Sequence, residues 1–177
     1  MYTGRPWRTI EEHDAALTDR WNAIVKPGDT TYILGDFAMP RGIPGVPSMK
    51  VYSRYLNRLH GKKILIKGNH DKMSVDMYKQ FTEVWDLREI NLDNRRLFLC
   101  HYPMRSWNAS FHGSIHFFGH VHGRLADRVD SMSTDVGIDS KEANFTPYPW
   151  EYLKKKMDEK YILWKDHWSR ENKNWKV

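Results

Sequence analysis

The sequence predicts an α/β fold, a sandwich in which helices cover β-sheets and candidate ligands gather along one sheet edge. Stretches with helical spacing alternate with short apolar β-forming runs, and several of those runs end on a glycine followed by Asp, Asn or His. No internal repeat or low-complexity linker interrupts the order.

Ile10, Ala16, Leu17, Trp21, Ile24 and Val25 recur at helical spacings, so the first helix is predicted over residues 9–25, with Thr9 and Glu12 placed as a capping box. Residues 26–29 (KPGD) form a turn, and residues 30–34 (TTYIL) a buried strand that delivers Gly35 and Asp36. Pro and Gly make residues 41–47 a loop, and a second helix starts at Ser48 and runs through Tyr52, Tyr55, Leu56 and Leu59. The next strand, residues 63–67 (KILIK), ends on GNHD, and a helix follows over about 74–81. Extended runs at 84–92 and 96–100 flank LDNRR and read as a hairpin, the second run ending at His101. Residues 114–118 form a strand that ends on Gly119 and His120; 131–136 is one more, and from Pro149 onward the chain is helix and tail.

A chain of 177 residues suits one domain over 1–177, with a core at about 5–150 and a basic helical tail at 151–177. Apolar residues make up 40% and aromatic residues 14%, which excludes a disordered chain. Cys100 is the only cysteine, so there is no disulfide framework and no Cys-rich zinc site; His, Asp, Asn and Glu are left as ligands. No apolar run approaches the roughly 20 residues of a membrane span, and the N-terminus has no signal-peptide core, so no membrane partner and a cytoplasmic, reducing location are expected. The net charge of +6 and pI near 9.3 favour phosphate-bearing partners, though part of the excess lies in the tail and reads as a solvated helix face.

The polar clusters are Asp36; then Asn69, His70 and Asp71; then His101; then His120 and His122. Each alone would pass as turn chemistry or a polar strand cap. In order, each after an apolar β run, they suit hydrolysis of a phosphate ester by a metal-activated hydroxide held between two divalent cations. Two close cations repel and need a bridging carboxylate, for which Asp36 is the candidate. Imidazoles and an amide oxygen suit Mn, Fe, Ni or Zn rather than Mg or Ca. A bend after Gly119 would let His120 and His122 reach one ion each.

Gly35-Asp36, GNHD (68–71), His101 and GHVH (119–122) resemble the motifs of the calcineurin-like metallophosphoesterase family. The similarity runs from about Arg5 to Asp139 and is nearest to the small bacterial and phage type of predicted phosphoesterase, which RPW, WN..V.PGDT.Y.LGDF and HYPM also resemble. The resemblance implies a four-layer αββα sandwich of two mixed sheets. It places one metal on Asp36, Asn69, His101 and His120, and a second on Asp36 and His122. It makes His70 the residue that contacts phosphate and protonates the leaving group, with Asp71 orienting its imidazole.

The family pattern opens with D-x-H on a first strand, and no such element stands in this chain, whose Tyr2–Pro6 matches what normally follows that strand. The expectation is that Met1 is an internal methionine, that one metal position is complete, and that the other keeps only Asp36 and His122. A sheet edge would also lack its neighbour, which predicts poor solubility or pairing with another chain. His13, beside Glu12 and Asp14 on a polar helix face, is not expected to replace the lost ligands; His116 reads as strand-borne structure, Arg105 as solvated and Cys100 as a buried strand residue. His60, His112 and His167 have no reason to enter the site.

The sequence therefore predicts a metallophosphoesterase acting on phosphate esters, with small or nucleotide-like phosphodiesters as the expected substrates. The alternative is a degenerate protein that holds a single metal without turnover. A nucleic-acid-binding module ranks last, because zinc-finger, helix-turn-helix and glycine-rich phosphate-loop signatures are lacking.

Overall fold

The computed structural model describes residues 4–38, 48–72 and 74–172; the predicted loop at 41–47 lies outside them. Helix α1 (Ile10–Ile24) begins on the predicted capping box. The Glu12 amide donates to the Thr9 hydroxyl at 3.1 Å, and the Thr9 amide donates to the Glu12 carboxylate at 3.4 Å, so two N–H groups that the helix leaves unpaired are satisfied. Thr9→Ala should lower stability by about 1 kcal/mol, read by urea unfolding, whereas an unchanged midpoint would mean that the cap is already solvated at no cost.

Strand β1 (Thr30–Ile33), helix α2 (Ser48–Leu56), strand β2 (Lys62–Ile66), the single turn α3 (Val75–Tyr78) and strand β3 (Glu83–Trp85) form the first α/β unit. The predicted helix at 74–81 is thus one turn, with no side-chain cap from Ser74. β1, β2 and β3 form a three-stranded sheet with β2 central, parallel throughout among the described residues and not mixed as the resemblance implies, which leaves β1 as an edge among them. Alternate residues face opposite ways: Ile33 and Leu65 pack with Tyr52, Leu56, Met77 and Phe81 under α2 and α3, while Tyr32, Leu34 and Ile66 join the larger core with the second sheet.

That second sheet holds β4 (Leu87–Leu92), β5 (Arg95–Cys100), β6 (Ile115–Phe118) and β7 (Ser133–Asp135) in this order, antiparallel between β4 and β5 and parallel thereafter. The predicted hairpin is present: Asp93 and Asn94 both have positive φ, +48° and +60°, as a two-residue turn matched to strand twist requires. Its first arm corrects the sequence reading, because the run at 84–92 is two strands in different sheets. Val84 and Trp85 pair with Leu65 and Ile66 in the first sheet, and Leu87 onward pairs with β5 in the second. The break falls at Asp86, whose carboxylate sits 2.5 Å from the Lys67 ammonium while the Lys67 amide donates to the Trp85 carbonyl.

Helix α4 (Trp150–Asn172) adds Met157 and Trp164 to the larger core. Its Lys160, only 7% exposed, donates to the Ser133 carbonyl at 2.6 Å and pairs with Asp127, fastening the helix to β7. The chain is therefore an α/β protein with a three-stranded and a four-stranded sheet sharing a core. No described helix is long and apolar enough to cross a membrane.

Candidate metal centre

β1, β2, β5 and β6 all run out at the same edge of the two sheets, and the residues just past their ends meet there. Asp36, His101 and His120 bring one ligand atom each within 4.8 Å of one another. His101 is the hub. Its Nε2 lies 3.0 Å from Asn69 Oδ1, 3.1 Å from His120 Nδ1 and 3.5 Å from Asp36 Oδ2, and the residue is 1% exposed. Its Nδ1 donates to the Leu34 carbonyl at 2.7 Å, so in the neutral ring Nε2 is the nitrogen that carries the lone pair. Oxygen atoms of a carboxylate and an amide and a second imidazole nitrogen thus converge on His101 Nε2. A carboxylate, an amide oxygen and two imidazoles this close form a donor set that fits a borderline divalent metal.

Local backbone makes this approach possible. Gly35 has φ +84°, and a Cβ there would come within 2.3 Å of His101 Nδ1 and 2.7 Å of the Gly68 backbone. At Gly68 a Cβ would meet Asp36 Oδ1 at 2.4 Å. Asp36, His120 and His122 are non-glycine residues with φ of +52°, +68° and +51°, a conformation that surrounding contacts must enforce and that concentrates at functional sites.

Asp71 corrects an expectation. Its carboxylate does not orient the His70 imidazole; it accepts the amides of Asp36 at 2.6 Å, Gly68 at 2.9 Å and Phe37 at 3.1 Å. It therefore ties the loop after β1 to the loop after β2. Burial pushes its carboxyl above the ordinary range, the three amides oppose that rise, and the nearby Asp36 charge adds to it. The His70 amide donates to Asp36 Oδ1 at 2.8 Å, and the residue is exposed at the lip of the cluster.

His122 is not brought into the cluster. Its Nδ1 lies 2.7 Å from Asp139 Oδ2, and Asp139 is clamped by Arg5 at 2.8 and 3.0 Å. Burial alone would raise the Asp139 carboxyl, yet its bonds to Arg5 and His122 hold it below the usual range. Arg5 also reaches His13 Nε2 at 2.6 Å, and the other nitrogen of His13 sits 2.9 Å from Asp14, so His13 braces this ion pair rather than the cluster. Sequence reasoning missed Arg5 and Asp139 as site neighbours. The one available signal was that they are the ends of the matching stretch, 134 residues apart.

His116 is wholly buried, as the strand reading expects. Its Nδ1 lies 3.0 Å from the Phe98 carbonyl, and its Nε2 lies 3.1 Å from the Tyr102 carbonyl and 3.3 Å from the Met104 amide. Burial holds its pKa below the ordinary 6.5, against the pull of the two carbonyls. Above 6.5 the ring is neutral folded or unfolded and its contribution is complete; as the pH falls from there through the folded value, protonation favours the unfolded chain and that contribution is lost. In an NMR titration His116 should stay neutral below its ordinary value, and a midpoint at or above 6.5 would contradict this. Arg105 is exposed and Cys100 buried, as expected.

No protein-family profile matches the chain. It is similar to uncharacterized protein MJ1445 of Methanocaldococcus jannaschii, 26% identical over 165 residues that cover 92% of this chain and 85% of that protein. Gene 66 protein of Mycobacterium phage L5 is 27% identical over 161 residues, covering 74% and 75% of the two chains. Among solved structures, the protein of unknown function AQ665 from Aquifex aeolicus superposes with a TM-score of 0.58 at 20% identity over 85% of this chain and 88% of that one. That likeness supports the α/β fold.

Proposed function

We propose that the chain is a metal-dependent phosphoesterase of the calcineurin-like metallophosphoesterase type, its two sheets and flanking helices forming a four-layer αββα sandwich. The observation that carries the reading is the convergence of Asp36, Asn69 and His120 on Nε2 of His101, whose other ring nitrogen donates to Leu34. Those four residues would hold a divalent cation such as Mn, Fe, Ni or Zn. Bound there, the cation supplies Lewis acidity toward a phosphoryl oxygen and an activated water.

The chain's own residues supply the rest. Leu34 fixes the His101 tautomer through its carbonyl. Asp71 holds both ligand loops by their amides, so Asp36 and Asn69 stay placed when substrate enters. His70 is exposed beside the cluster with its backbone bound to Asp36, where its imidazolium can protonate the departing ester oxygen. Purified protein with added Mn should hydrolyse bis(p-nitrophenyl) phosphate. His70→Ala should lose that activity by at least about 100-fold while keeping its metal. Full activity in His70→Ala would remove His70 from the chemistry, and no hydrolysis by the parent protein would remove the assignment.

A second reading, a protein that holds one metal without turnover, is favoured by the size of the cluster: among the described residues Asp36, His101 and His120 meet, and His122 is not with them. About one tightly bound ion per chain with no hydrolysis under any metal would select it.

A further inference from the structure

We propose that Tyr102 is the specificity-determining residue of this centre, a platform on which a flat ring attached to the phosphate ligand stacks. The inference rests on reading the centre as a phosphate-ester site. Tyr102 follows His101 directly, and its ring centroid lies 4.9 Å from the rings of both His101 and His120. A large aromatic side chain in contact with two candidate ligands would ordinarily be covered, yet Tyr102 is 43% exposed. Its interplanar angles to the two imidazoles are 79° and 63°, so neither imidazole lies flat on the phenol ring.

The residue is also held in place from below. Buried His116 sits 3.1 Å from the Tyr102 carbonyl and 3.3 Å from the Met104 amide, while its other nitrogen meets Phe98 on β5. The ring therefore stands on a backbone fixed to the central strands of the second sheet, and ordering it on binding costs little. A phosphate seated at the cluster would place its nearest substituent against Tyr102. The chemistry that gains most from such a neighbour is a planar π system, a nucleobase or an aryl group.

The test uses the full chain loaded with Mn and two probes that share a phosphate and a sugar, adenosine 5′-monophosphate and ribose 5-phosphate, with binding measured by calorimetry. The nucleotide should bind at least about tenfold more tightly. Tyr102→Phe should keep that ratio, and Tyr102→Leu should bring the nucleotide down to the affinity of ribose 5-phosphate, itself unchanged. In the unmutated protein loaded with diamagnetic Zn instead of Mn, Tyr102 ring signals should move upfield in NMR spectra with the nucleotide and not with ribose 5-phosphate. Equal affinities in the parent protein, an unaltered ratio in Tyr102→Leu, or no binding of either probe would overturn the proposal. An equal loss of both probes in Tyr102→Leu would do so as well, since it would make Tyr102 only a prop for His101 and His120. Hydrolysis of bis(p-nitrophenyl) phosphate, followed in parallel, separates the two readings. Turnover without a binding ratio keeps the phosphoesterase and removes the platform; a ratio without turnover does the reverse.

Discussion

Asp36→Asn should leave a folded protein that binds Mn weakly and hydrolyses bis(p-nitrophenyl) phosphate at least about 100-fold more slowly, since altering even the outer partners of metal ligands costs 10–100-fold. The substitution keeps shape and removes charge. The His70 amide donates to Asp36 Oδ1, a bond that an amide oxygen can also accept, so the loop after β2 should stay docked. What goes is the carboxylate that, among the described residues, completes the cluster with His101 and His120. Metal bound per chain and turnover should fall together while the unfolding midpoint measured without metal stays near that of the parent. Retained turnover would show that Asp36 holds loops and not a cation.

Gly35→Ala should destabilise the fold by about 3 kcal/mol or more, a large share of the roughly 5–15 kcal/mol of a typical domain. The new methyl would stand 2.3 Å from His101 Nδ1 and 2.7 Å from Gly68 Cα and N, and the backbone at φ +84° disfavours any side chain. Neither neighbour can yield cheaply: the imidazole is bonded to Leu34 at 2.7 Å, and the Gly68 amide is held by Asp71 at 2.9 Å. Gly28→Ala is the control, because nothing lies within 4 Å of a Cβ there. Urea unfolding of the two variants should differ by that margin; matching midpoints would mean that the loops after β1 and β2 part easily.

Strand ends were the legible part of this sequence. An apolar run closing on Gly-Asp, on GNHD or on a histidine marks where a strand stops and a polar side chain starts, and the structure brings Asp36, Asn69, His101 and His120 together at such ends. Local signals also survived folding: the Thr9–Glu12 cap and the Asp93–Asn94 turn depend on near neighbours alone. The sheet switch at Asp86 was hidden because a run of alternating residues looks the same whether it stays in one sheet or passes between two. The role of Asp71 was hidden because its partners are backbone amides 34 and 35 residues away as well as one nearby, and amides leave no trace in residue type. The partner of His122 was hidden for a related reason: its neighbour in space, Asp139, is set by how the chain after β7 returns to the edge and not by the GHVH motif.

Anomalous diffraction from crystals soaked in Mn tests the convergence of these side chains directly. The account predicts a peak within coordination distance of Asp36, Asn69, His101 and His120 together. A protein without a peak there, or with Mn bound only beside His122 and Asp139, would contradict it.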